Sequence, residues 1–63
     1  MKYKYQDKVE VVSGFFKGQV GTIENEIFSG FNFFGKRIGI YEYKIESKDF
    51  TFIESSKNLK LID

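Results

Sequence analysis

The 63-residue chain contains no cysteine and no histidine. Disulfides, thiolate metal sites and nucleophile–histidine pairs are thereby excluded, and most zinc sites with them. A cysteine-free chain fits a reducing compartment, so the expected location is the cytoplasm. Proline is also absent, and no linker, repeat or low-complexity run divides the sequence. Residues 1–63 are read as one domain. The charges in Met1-Lys2-Tyr3-Lys4-Tyr5 lead into no apolar run, so no secretory signal is expected. No stretch approaches the roughly 20 apolar residues of a membrane-spanning helix. Excess charge is lacking too: ten basic against nine acidic residues leave +1. Proteins embedded in nucleic acid usually carry a large basic surplus, because counterion release drives their binding. Any nucleic-acid contact here needs a local patch.

What the chain has instead is aromatic bulk, with eight phenylalanines and four tyrosines. A domain this small buries only about 60% of its unfolded surface. Side chains that each bury on the order of 150–250 Å² are the natural substitute for missing covalent staples. Carboxylate pairs exist on paper, Glu24 with Glu26 and Glu42 with Glu46. Each pair falls on one face of an expected strand, where sheets ordinarily place solvated charge. Gly14-Phe15-Phe16-Lys17-Gly18 lacks both the length and the Lys-Ser/Thr ending of a phosphate-binding loop. The sequence therefore predicts a non-catalytic protein with no cofactor and no metal.

Helical periodicity is poor throughout, and period-2 alternation recurs. A first strand is expected over about 7–12, with Val9 and Val11 inward, and a second over about 19–28. On the second, Gly21, Ile23 and Ile27 share one face; Thr22, Glu24 and Glu26 share the other. Gly21 inside a strand marks a bulge or a close backbone approach. Residues 29–39 hold three glycines and an asparagine and read as a loop or hairpin tip. A third strand, about 40–47, sets Tyr41, Tyr43 and Ile45 against Glu42, Lys44 and Glu46. A fourth, 50–54, is expected to be covered on both faces. One turn at 55–58, of 3₁₀ type, then precedes a last strand at 59–62. The expected class is all-β, a small five-stranded partly open barrel.

Asp7, Val9, Val11, Gly14, Lys17, Gly18, Gly21 and Ile23 together resemble the KOW motif. That motif opens the SH3-like barrels of NusG-type elongation factors and of several large-subunit ribosomal proteins. The resemblance covers about a third of the chain. It implies RNA, or a ribonucleoprotein or transcription assembly, as partner, with Lys17 matching the loop lysine that often contacts RNA.

Three surfaces are candidates for function. In the 14–18 loop, Lys17 can meet a phosphate and Phe15 can stack on an unpaired base. The structural alternative has Phe16 plugging the barrel end, Phe15 half-buried and Lys17 solvated. In the 31–37 segment, Phe31, Phe33 and Phe34 alternate with Asn32, Lys36 and Arg37. They offer a stacking platform, a protein-binding patch typical of interface hot spots, or a hairpin folded back to fill the core. Burial of Phe33 with Phe34 outward is the expected split. At the start of the chain, Tyr3 and Tyr5 are expected to pack on the barrel, with Lys2 and Lys4 outward. Asp7 is expected to set the turn there through side-chain-to-backbone bonds. Two functions follow. One is RNA binding through Phe15, Lys17, Lys36 and Arg37. The other is a protein-interaction adaptor or inhibitor, of bacterial or bacteriophage type, docking on a larger machine through Phe31, Phe33 and Phe34. Oligomeric state is open, since an exposed edge or aromatic hairpin can pair two copies.

Overall fold

The computed structural model describes residues 3–62. The chain is all-β, with strands β1 (Lys8–Val11), β2 (Val20–Phe33), β3 (Lys36–Ser47), β4 (Thr51–Ser55) and β5 (Leu59–Leu61). A 3₁₀ turn, Ser56–Asn58, links the last two. All pairings are antiparallel, in the order β4-β3-β2-β1-β5. The sheet curls into a five-stranded SH3-like partly open barrel, in which the two outermost strands do not pair with each other.

The core gathers the inward residues of this sheet: Tyr3, Val9, Val11, Ile23, Tyr43, Ile45, Phe52 and Leu59, with Phe16 and Tyr41 packed against it. Alternation places Val9 and Val11 on the buried face of β1 and Tyr43 and Ile45 on that of β3. Phe16 closes one end by stacking on Phe52 at 4.5 Å between ring centroids. Every buried side-chain nitrogen or oxygen among the described residues has a hydrogen-bond partner.

Gly21 lies between Val9 of β1 and Ser47 of β3. A Cβ there would stand 2.5 Å from the Glu46 carbonyl oxygen, so the glycine marks a close backbone approach. The bulge comes three residues later. Ile23 pairs with Ile45 and Asn25 with Lys44, leaving Glu24 without a partner residue. One extra residue reverses every side chain beyond it. Glu26 therefore shares the core face with Ile23 and Tyr43, while Ile27 lies on the outer face. Strict alternation assigned both the other way, because a bulge has no signature in a period-2 pattern.

Four further expectations are corrected. Residues 29–39 are mostly strand rather than loop, since β2 runs to Phe33 and β3 begins at Lys36. Phe33 is exposed, and the hairpin does not fold back onto the core. β4 is an edge strand whose Thr51 and Ile53 face solvent, so only one face is covered. Tyr5 is exposed as well, because Asp7 turns the chain at Tyr5-Gln6: the Lys4 N–H donates to Asp7 Oδ2 at 2.9 Å. Tyr3 alone of that pair packs inward, and Lys2 lies outside the described residues.

Candidate functional site

β1 pairs with β2 only up to Thr22, and β4 pairs with β3 only from Glu42 onward. Residues 28–41 are therefore held by the β2–β3 ladder alone. They form a two-stranded arm that stretches the molecule to 40 × 22 × 19 Å. Phe34 and Gly35 make its two-residue tip, at φ 49° and 79°. Two positive φ values are what a type I′ hairpin turn demands, and asparagine or glycine normally supplies them. A phenylalanine in the left-handed region is an outlier.

One face of the arm carries Phe28, Gly30 and Asn32, paired with Tyr41, Gly39 and Arg37. The Arg37 guanidinium lies 4.2 Å from the Phe28 ring centroid and donates from Nη1 to the Tyr41 hydroxyl at 3.1 Å. It reaches them because Gly30 and Gly39, directly opposed between these residues, contribute no side chain. Nor can they: a Cβ on Gly30 would sit 2.1 Å from the Ile38 carbonyl oxygen, and one on Gly39 2.2 Å from that of Ser29. Phe28 and the glycine pair belong to this cluster, yet nothing in the sequence marked either as a partner of Arg37.

The opposite face is apolar. Ile27, Ser29, Phe31 and Phe33 pair with Glu42, Ile40, Ile38 and Lys36. Phe31 is 59% exposed, Phe33 52% and Phe34 91%. Ile38 and Ile40 are exposed beside them. Charge divides along the length. From 28 to 41 the only charged residues are Lys36 and Arg37, whereas Glu24, Glu26 and Glu42 gather at the root.

The second candidate region is the β1–β2 loop. Gly14 and Gly18 take φ 92° and 96°, and the Gly18 N–H closes the loop on the Val11 carbonyl at 2.8 Å. Phe15 is 93% exposed, edge-on to Phe16, and Lys17 is exposed beside it. Lys17 precedes the start of β2, while Lys36 and Arg37 stand at its far end. The strand is 14 residues long, and at up to about 3.3 Å per residue it is long enough to run the full 40 Å of the long axis. The four residues expected to meet RNA are therefore not brought together. Phe31, Phe33 and Phe34 are.

A third feature escaped the sequence altogether. Tyr3, Tyr5, Ile23, Glu24 and Glu26 line an open cavity of about 380 Å³ at the bulge. Burial holds the Tyr3 hydroxyl above its ordinary pKa of 10.0. Among the described residues, no three acidic, cysteine or histidine side chains are grouped to hold a metal ion. No helix among them is long and apolar enough to cross a membrane. No family model, curated protein or solved structure matches the chain.

Proposed function

We propose that this is a non-catalytic interaction module of KOW type, acting in the cytoplasm, that docks onto a protein partner through its arm. Phe31, Phe33 and Phe34 are its anchors. The observation that carries this reading is Phe34, a bulky aromatic left almost fully exposed in a backbone conformation that disfavours it. Strain of that kind costs on the order of 1–3 kcal/mol and collects at working sites. The neighbouring exposed side chains each offer on the order of 100 Å² of the 150–250 Å² that a buried aromatic contributes. Together they make the kind of patch that marks an interaction surface. Lys36, opposite Phe33 on the same face, suits a partner with an acidic rim.

A photo-crosslinking amino acid placed at position 34, compared with one at position 15, tests the assignment in native cells. Discrete protein adducts are expected from 34. RNA adducts from 34, or adducts indifferent to position, would sink it.

One observation favours a second reading: Phe15 and Lys17 are exposed side by side on a loop whose glycines hold it open. In that reading the loop, without Lys36 and Arg37, takes a short stretch of single-stranded RNA. Salt-reversible amide shifts confined to 14–18 on titration with RNA support it, and no shifts at near-millimolar RNA dismiss it.

A further inference from the structure

The apolar face of the arm carries a pattern that is complementary to its own reversal. Along β3 it runs Lys36, Ile38, Ile40, Glu42; along β2 it runs Ile27, Ser29, Phe31, Phe33. We infer that two copies of this chain pair face to face through their arms. They run antiparallel about a two-fold axis level with the Gly30–Gly39 pair. The inference rests on reading the arm as an interaction surface.

Such an axis lies in the interface and perpendicular to the strands, so each β3 faces the other β3 and each β2 the other β2. Lys36 then meets Glu42 of the second copy, twice over, and Ile38 meets Ile40. Phe31 falls opposite Ser29, a large side chain on a small one, and Phe33 falls opposite Ile27. An isologous interface needs this self-complementarity. Neither Lys36 nor Glu42 takes part in an ion pair within its own chain among the described residues, so both charges are available. The same charges argue against a parallel arrangement, which would place the Lys36 and Arg37 tips side by side. The core of the contact is apolar and its two ends are charged, and charge at those ends fixes register more than affinity. The face offers roughly half of the ~800 Å² per partner typical of stable complexes. The dimer is accordingly weak and forms where the protein is locally concentrated. Phe34 stays outside the pattern at each tip, whereas Phe31 and Phe33 serve both contacts, so the dimer and the heterologous partner compete for them.

Charge exchange tests this on the intact chain. Sedimentation velocity from about ten micromolar to about one millimolar should show reversible dimerisation of the native protein, a range matching a weak interface. Lys36→Glu and Glu42→Lys should each weaken it at least about tenfold, since two attractive contacts become two repulsive ones. An equimolar mixture of the two variants should dimerise again, because each repulsive pair becomes complementary across the interface. Recovery on mixing also shows that both variants are folded. A native chain that stays monomeric to one millimolar overturns the inference. So does a mixture no more associated than its components. Neither result touches the crosslinking at position 34, which stands or falls on adducts to other proteins.

Discussion

The Tyr43 hydroxyl donates to the Glu26 carboxylate at 2.5 Å, and this contact exists only because the register slips at Glu24. The same hydroxyl accepts the Tyr3 N–H at 3.2 Å, while the two tyrosine rings meet edge to face at 5.3 Å. One phenol thus ties the N-terminal segment to the root of the arm. Hydrogen bonds to a charged group contribute about 1.5–3 kcal/mol net. Tyr43→Phe should lower the unfolding free energy by about that amount in urea titrations. Glu26→Gln keeps an acceptor and should cost about 1 kcal/mol. No loss from Tyr43→Phe, which keeps the ring, would show that ring packing, not the hydrogen bond, matters here.

Phe34→Asn should stabilise the arm. Asparagine tolerates the left-handed conformation that phenylalanine resists, a gain of about 0.5–1 kcal/mol. Amide exchange at 28–41 should slow several-fold as a result. Crosslinking from a probe at position 31 should fall in the same variant. Improved stability alongside lost capture separates a functional residue from a structural one.

Two glycines should respond differently to one added methyl. At Gly21 the new Cβ meets the Glu46 carbonyl oxygen at 2.5 Å and Ile45 Cγ2 at 2.7 Å, inside the barrel. Gly21→Ala should therefore cost about 1–3 kcal/mol in global unfolding. Gly30→Ala strikes only the arm ladder. It should leave the denaturant midpoint nearly unchanged while protection is lost from Phe28 to Tyr41. A global loss from Gly30→Ala would mean that arm and barrel unfold as one unit.

Tyr3 gives the fold an alkaline limit. Its hydroxyl donates to the Leu59 carbonyl at 3.0 Å, and burial raises its pKa above 10.0. Below the unfolded-state value both states keep the proton, and the contribution to stability is complete. Above it the unfolded chain ionises first, so stability falls as pH rises through the raised folded-state value. Melting temperature should hold steady between about pH 7 and 9 and decline above about pH 10. In Tyr3→Phe the overall stability should be lower and the alkaline decline shallower.

Much of the barrel was legible in the sequence because its signals are local. Val9 and Val11 alternate cleanly with charge, Ser55-Ser56-Lys57-Asn58 carries turn chemistry, and the aromatics on β3 alternate with Glu42, Lys44 and Glu46. The arm was obscured by its composition. Gly30, Gly35 and Gly39 read as loop, yet only Gly35 belongs to a turn. Gly30 and Gly39 are the bare middle of a ladder, cleared for the Arg37 side chain. The exposed phenylalanines misled in the other direction, since a small barrel in need of core invites the assumption that Phe33 is buried. Distance was invisible as well. Lys17 and Lys36 look like neighbours in composition and stand at opposite ends of one strand.

The unpaired residue at Glu24 has an evolutionary consequence. On the barrel side of it, Gly21 and Thr22 are fixed by pairing with both neighbouring strands. β3 carries no matching irregularity, so the faces of the arm follow from its unbroken alternation and not from the extra residue of β2. Deleting Glu24 would leave Asn25 opposite Lys44 and Glu26 opposite Tyr43, and the Ile and Phe stripe would stay on its present face. Insertions and deletions are usually the crude changes in a protein's history. At this position the ladder absorbs one, and related chains that differ by one residue here should present the same two surfaces.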